Sequence, residues 1–324
     1  MILVTGASGL VGLHLIQYLS TQDQKVRALY KSNLPDFLPN TNHATIEWAP
    51  CDVLDISELE KNFIGITHVY HCAAIVSYDA RMIDAMMEIN IEGTANVVNL
   101  CLEKNIEKLV FMSSISAIGK ENAGTPISEK TSWNTTEYDL TQYAISKQRA
   151  EMEVWRGIAE GLRAVIVNPA VILGEGDVSK SSTNLFHIVH NEFPYYTKGG
   201  TAWVDVKDVV RIMVALMQSS IEEERFIVSA GNYSYKEIFD TMALSMNKKG
   251  PTKLAGKWMT EIVWRISYLK SILSGKTATI TRETARNAHE ISQYDNSKLL
   301  QALPNFTYEA IDNTIGRVCH YLYP

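Results

Sequence analysis

Tyr143 and Lys147 stand four residues apart in a 324-residue chain. On a helix that spacing puts both side chains on one face. A tyrosine hydroxyl is a weak acid, with a pKa of about 10. An ammonium beside it favours the phenolate and lowers that pKa. Such a pair can give or take a proton near neutral pH. Tyr-x-x-x-Lys is also an ordinary pair on a helix surface. Here it follows an apolar strand over residues 109–112 that ends at Ser113 and Ser114. A second set of residues could hold phosphate. Gly6, Gly9 and Gly12 follow a short apolar run at Gly-x-x-Gly-x-x-Gly spacing, with Ser8, Leu10 and Val11 among them. Gly6 can adopt a backbone closed to residues with a Cβ. Gly9 lets the chain approach a pyrophosphate, and Gly12 lets the following helix pack on its strand. The N-terminus of that helix offers N–H groups to an anion.

These residues need a frame. The pattern predicts strands over 2–4, 25–30, 45–48, 67–71, 109–112 and 163–167. Helices are expected over 13–20, 57–63, 81–104 and from 143 to about 160, with a polar loop over 119–140. Asn90 is a polar residue inside the 81–104 pattern, and a core-edge asparagine bonding a backbone carbonyl is its plain reading. Cys72, Ala73 and Ala74 end the fourth strand, and their small side chains leave room for a cofactor. Asn168 and Pro169 close the sixth. Strand and helix alternate, which implies an α/β fold built on a doubly wound parallel sheet. Past Gly174 the alternation breaks. A short helix over 186–193 follows, then residues 203–208 lead into a helix through Met217, a seventh strand is expected over 226–228, and residues 235–323 read as mostly helical. The expected division is a dinucleotide-binding part, 1–172 with about 205–230 returned to it. The smaller, mostly helical substrate-binding part is 173–324, mainly 173–204 and 231–324.

The second strand should end beside the adenosine ribose. NAD-binding units place an acid there, about twenty residues past the glycines, for the ribose 2′-OH. This chain has Lys31 at that point, with Asp23 too early and Asp36 too late. A cation suits a 2′-phosphate, so NADP(H) is expected ahead of NAD(H), a solvated surface lysine being the plainer reading. Asp52, followed by Val53, could accept a hydrogen bond from the adenine amino group. It could equally cap the next helix, and Asp55 is available for one of the two roles.

Composition excludes several classes. Thirty-six acids face 30 bases, a net charge of −6 without a long run of either sign, which argues against nucleic acid as the main partner. Cys51, Cys72, Cys101 and Cys319 are scattered without a Cys-x-x-Cys pair and read as buried thiols, not as a disulfide frame or a metal site. The first residues already form a core strand, so no signal peptide is expected. No apolar run reaches the length of a membrane span. A cytoplasmic location follows, and the Asn-x-Ser/Thr triplets at Asn134, Asn232 and Asn305 are then chance matches.

Taken together, the motifs resemble those of the extended short-chain dehydrogenase/reductases, the superfamily of NAD(P)-dependent epimerases and dehydratases. The resemblance rests on Gly6-x-x-Gly9-x-x-Gly12, Asp52-Val53, Ala73-Ala74 and Asn90-x-x-Gly93-Thr94. It continues in Ser113-Ser114, Tyr143-x-x-x-Lys147, Asn168-Pro169 and Val204-Asp205-x-x-Asp208, in family order over residues 1 to about 210. Tyr294-Asp295-Asn296-Ser297-Lys298 resembles a later family segment more weakly. The resemblance implies Tyr143 as general acid/base and Lys147 lowering its pKa and bonding the nicotinamide ribose. Ser114 would bond the substrate oxygen and Asn90 would support a proton-relay water. It also implies a homodimer paired through the helices that carry Asn90 and Tyr143.

Two activities compete within that superfamily: NADPH-dependent reduction of an aldehyde or ketone, as in the dihydroflavonol reductase-like branch, and epimerisation or dehydration of a nucleotide-sugar with tightly held NAD. In the sugar-nucleotide branch an asparagine usually stands three residues before the glycine that follows the sixth strand. This chain has Val171 three residues before Gly174, which makes that wall apolar. A diphosphate site also calls for cations, and residues 171–204 contain only Lys180 and Lys198. Reduction of a small, mainly apolar molecule is the expected activity. Trp258, Met259, Ile262, Val263, Ile266, Leu269, Ile272 and Leu273 recur at helical spacing. They predict an amphipathic helix covering the substrate pocket, a membrane-surface helix being the alternative. No membrane insertion is expected.

Overall fold

The computed structural model describes residues 1–32, 34, 43–122, 124–133, 140–178, 182–274 and 280–324. Asp36, Asn134, Lys180 and the side chain of Leu273 lie outside the described residues. The first half alternates as expected: β1 (Ile2–Thr5), α1 (Leu10–Ser20), β2 (Val26–Tyr30), β3 (Ile46–Pro50), α2 (Ile56–Asn62) and β4 (His68–His71). The predicted 81–104 helix is instead a short turn, Ala80–Met82, then α3 (Ile83–Met87), a π-helical turn (Glu88–Glu92) and α4 (Gly93–Glu103). Next come β5 (Lys108–Met112), α5 (Gln142–Ala159) and β6 (Ala164–Pro169).

The chain then leaves the sheet. It forms β7 (Val171–Leu173), α6 (Thr183–His190), β8 (Tyr195–Tyr196) and β9 (Gly200–Asp205). It returns through α7 (Val206–Gln218) to β10 (Glu224–Val228) and continues as β11 (Gly231–Ser234), α8 (Tyr235–Ser245) and β12 (Lys253–Leu254). The rest is helical: α9 (Lys257–Ser274), α10 (Arg282–Asn287), α11 (Ser297–Ala302) and α12 (Ile311–Leu322).

Seven parallel strands form the central sheet in the order β10-β6-β5-β4-β1-β2-β3. The order reverses between β1 and β4, the switch point at which such sheets bind ligands. Both faces are buried, which is why the strands read as continuous apolar runs. Val4, Tyr70, Val110, Val165 and Val167 pack with α1 and α7 on one face. Leu3, Val69, Leu109, Phe111, Ala164 and Ile166 pack with residues of α4 and α5 on the other. A separate core joins Leu173, Phe186, Trp203, Ile238, Met242, Ile315 and Val318 beneath a small sheet of order β11-β9-β7. All four cysteines are buried and free, as the scattered spacing suggested.

Candidate active site

The glycine turn is shaped by collision. Gly6 has φ of +66°, and a Cβ there would sit 2.6 Å from the backbone of Ala73 at the end of β4. A Cβ on Gly12 would collide with the Gly6 carbonyl. Gly9 meets only that carbonyl, at 3.3 Å. Helix α1 therefore starts at Leu10, earlier than its apolar pattern suggested, directly on Gly9. It has no side-chain cap and no acid in its first turn. Its leading N–H groups, those of Leu10, Val11 and Gly12 among them, have no partner within the helix. Ser8 is half-buried beside them. The turn is a cradle that side chains would fill, and it fits a dinucleotide pyrophosphate.

Lys31 Nζ lies 2.7 Å from Asp52 Oδ2, so the lysine beyond β2 and the acid beyond β3 form an ion pair. Burial pushes the Asp52 carboxyl up, but hydrogen bonds from Lys31 and from the Leu54 N–H outweigh it and hold it below its usual value. Asp55 takes the capping role, accepting from the Glu58 N–H at 3.0 Å. Val53 and Cys72 are buried, and Ala73 and Ala74 are half-buried at the strand ends.

Thr141 caps α5, accepting from the Ala144 N–H at 3.0 Å, and sets Tyr143 and Lys147 on successive turns facing the end of β5. Ser114, in extended backbone just past β5, stands near enough to the Tyr143 hydroxyl to favour its phenolate. Its own Oγ accepts from the Ser116 N–H at 3.1 Å. Burial raises the Tyr143 phenol above its ordinary value, and Ser114 pulls it down only in part, because desolvation penalises the phenolate more than this neighbour favours it. Burial also lowers the Lys147 ammonium to about 8, against the opposing pull of Glu151 and Cys72. That ammonium donates to the Met112 carbonyl at 2.8 Å and lies 4.9 Å from the Phe111 ring centre.

Asn90 sits in the π-helical turn and is buried. Its Oδ1 accepts from the Ile75 N–H at 2.8 Å, and its Nδ2 donates to the Ile75 carbonyl at 3.0 Å and to Ser146 Oγ at 2.9 Å. This side chain ties the turn after β4 to α5. A second buried chain runs beside it. The Ala73 N–H donates to Thr5 Oγ1 (3.3 Å), which is 2.6 Å from His71 Nδ1. His71 Nε2 is 3.0 Å from Thr94 Oγ1, which donates to the Asn90 carbonyl at 2.6 Å. Because Thr94 gives its proton to a carbonyl, His71 must donate from Nε2 and accept at Nδ1. Burial, with Lys147 adding to it, lowers the His71 pKa to about 3, so the ring is neutral.

Glu151, one turn past Lys147, accepts from Ser113 Oγ (2.7 Å), Asn168 Nδ2 (2.8 Å), Arg225 Nη1 (3.1 Å) and Trp155 Nε1 (3.3 Å). Asn168 also donates to the Ser114 carbonyl at 3.0 Å, while its Oδ1 is buried without a partner among the described residues. Pro169 closes β6 opposite Val228, and Val171 opens β7 opposite Trp203. No group of three His, Cys, Asp or Glu among the described residues is placed to hold a metal ion.

More tyrosines stand near Tyr143. The Tyr78 ring is edge-on to Tyr143 at 6.1 Å. Burial, then Tyr143, Tyr235 and Glu283, push the Tyr78 phenol up. Tyr235 and Tyr294 are raised by burial and by Glu290. Glu283, at the start of α10, accepts from the Gln142 N–H at 3.1 Å and so bonds the first residue of the helix that carries Tyr143 and Lys147.

A family model described as the NAD-dependent epimerase/dehydratase family matches residues 2–229, about 70% of the chain. The chain belongs to that family. The match covers the whole central sheet, the glycine turn, and Ser114, Tyr143 and Lys147. This epimerase/dehydratase-family chain is 27% identical over 308 residues to a putative dihydroflavonol 4-reductase of Synechocystis, covering 93% of this chain and 88% of that one. The crystal structure of gox2253 superposes with a TM-score of 0.83 at 25% identity, over 99% of this chain and 97% of that one. The UDP-glucose 4-epimerase of Thermotoga maritima, solved with UDP-glucose, gives 0.80 at 18% identity over 99% and 98%, a likeness of fold. The protein is an NAD(P)-dependent enzyme of the extended short-chain dehydrogenase/reductase type.

Sequence reading missed His71, Glu151, Arg225, Tyr78 and Glu283. Glu151 had a signal, since it continues the Tyr143–Lys147 ladder by one more turn. The others had none, because their partners are far away in the chain.

Proposed function

We propose that this enzyme reduces an aldehyde or ketone of a small, mainly apolar molecule, with NADPH as the preferred cofactor and Tyr143 as the proton donor. The observation that carries the reading is the tyrosine cluster beside Tyr143: Tyr78 packs edge-on against it, and burial raises the phenols of Tyr78, Tyr235 and Tyr294. Such a wall suits an aromatic or aliphatic body, and Glu283, the charge that acts on Tyr78, gives a diphosphate no cation. Val171 on the adjacent strand adds no polar group. The bound nicotinamide supplies the hydride. Tyr143, held protonated by burial, gives its proton to the carbonyl oxygen, and Ser114 orients that oxygen. The Lys147 ammonium supplies positive charge beneath the site, and Asn90 and His71 are positioning residues that fix the surrounding backbone. Residues 1–172 with 205–230 would hold the dinucleotide and the remainder the substrate. A cytoplasmic homodimer paired through α4 and α5 belongs to the same reading, supported by the exposed Met152 on α5.

The test measures NADPH and NADH oxidation against a panel of aldehydes, ketones and nucleotide-sugars. It also identifies what the purified protein releases on denaturation. Carbonyl-dependent NADPH oxidation is the expected result. Tightly held NAD⁺, together with thermal stabilisation by a UDP-sugar, would replace this reading with epimerisation or dehydration.

A further inference from the structure

Helix α9 is amphipathic the wrong way round for a helix of a water-facing surface. Trp258, Ile262, Ile266, Leu269 and Ile272 follow one stripe, and they are 72%, 49%, 48%, 59% and 61% exposed. The inward side carries Thr260, Ser267 and Ser271, with Met259 and Trp264 half-buried beside them. Thr260 Oγ1 is 2.9 Å from His289 Nε2, and Ser267 Oγ accepts from the Ile280 N–H at 3.1 Å. A surface helix ordinarily buries its apolar stripe. Here polar residues hold the helix to the protein and the apolar stripe faces out, over about 21 Å at the usual rise per residue.

The surrounding charge says what meets it. The described residues among 248–290 hold eight Lys and Arg against three Glu, a net charge of +5 in a chain whose total is −6. Lys257 and Lys270 flank the stripe on α9 itself, and its one acid, Glu261, is paired with Arg265. A second copy of this chain, laid face to face on the same surface, would set +5 against +5. We propose that α9 docks the protein on an anionic lipid surface, lying in the headgroup plane with its apolar stripe among the acyl chains. Tryptophan and tyrosine suit that depth, and bases beside an apolar stripe are the mark of an interfacial helix. No described helix is long and apolar enough to cross a membrane, so the helix lies on the bilayer and does not span it. This goes beyond the catalytic reading and stands or falls without it.

The experiment is co-sedimentation of the full chain with vesicles of phosphatidylcholine alone or mixed with phosphatidylglycerol. Binding to the mixed vesicles should be at least about tenfold tighter and should weaken with salt. The triple variant Ile262→Ser, Ile266→Ser, Leu269→Ser changes only exposed positions, so it should keep its near-ultraviolet circular dichroism and its dinucleotide binding. It should lose vesicle binding by about tenfold or more. Replacing Lys257 and Lys270 by Gln should weaken the preference for anionic vesicles by several-fold. Absence of binding to mixed vesicles would overturn the proposal, as would binding that the serine variant leaves intact. A dimer in gel filtration that the serine variant dissolves would assign the stripe to a second copy instead.

Discussion

Lys147 Nζ donates to the Met112 carbonyl at 2.8 Å, which fixes the ammonium to the end of the strand that leads into Ser114. Burial lowers it from its ordinary value to about 8. The lysine is therefore charged below that pH and neutral above it, while Tyr143, whose phenol is raised, keeps its proton through the same range. If the positive charge supports proton donation, kcat/KM for carbonyl reduction should fall as pH rises through about 8. A pH–rate profile checks this, and a flat profile from about pH 7 to 10 would show that Lys147 does not lose a charge the reaction needs in that range.

Tyr143→Phe should fold and bind dinucleotide, because the ring remains packed against Tyr78. Its turnover should drop about 10²–10⁴-fold with the loss of a general acid. Steady-state rates on the first substrate found would decide it. Near-normal turnover would move the proton donor elsewhere.

The pair between Lys31 and Asp52 makes cofactor choice a shared property of two residues. NADPH should bind more tightly than NADH, and Lys31→Ala should narrow the ratio by roughly tenfold. Asp52→Asn should widen it, because the carboxylate repels a 2′-phosphate that the same lysine attracts. Taking the ratio of the two affinities cancels any contact Asp52 makes with adenine. Equal affinities in the unmutated protein would sink the assignment.

His71 predicts a stability that depends on mild acid. Its folded pKa, about 3, lies below the ordinary 6.5, so the unfolded chain takes up the proton first. Stability is then fully present above about pH 6.5 and falls as pH drops toward 3. By pH 5 the loss is on the order of 2 kcal/mol. Urea unfolding at pH 7 and pH 5 measures it. A His71→Gln variant should show a smaller difference between the two, and an unchanged slope would mean that the ring is not buried neutral.

Glu151→Ala leaves Arg225, Ser113 and Asn168 without their shared acceptor and should destabilise the fold by about 3–5 kcal/mol. Glu151→Gln keeps two donors satisfied and should cost less. Both are read by denaturant midpoint. Equal, small effects would show that water replaces the carboxylate.

The sheet was legible because buried parallel strands announce themselves as apolar runs, and the glycine turn because three spaced glycines follow one of them. Asp52 and Asp55 could be told apart only as two candidates for two roles, and backbone geometry assigned the cap to Asp55. The 81–104 pattern was read as one helix, since a π-turn keeps nearly helical spacing and leaves no mark in residue type. Val171, read as a wall of the pocket, also opens a strand whose partner, Trp203, lies beyond a helix and a loop. Long-range pairs such as Glu151 with Arg225 carry no local periodicity at all. The 258–273 stripe was correctly read as one face of a helix, but spacing cannot say whether a face turns in or out. Only the hydrogen bonds of Thr260 and Ser267 decide that.

The contact between Glu283 and Gln142 joins residues 141 apart in the chain. Tyr294 bridges to Ile127 in the same way. A ribosome makes the chain from one end, so six strands of the central sheet are in hand once Pro169 has emerged. The bracing that completes the pocket around Tyr143 arrives more than a hundred residues later. The glycine turn and Tyr143 are thus made well before the elements that brace the pocket, so the end of the chain, not its beginning, sets when that pocket is complete.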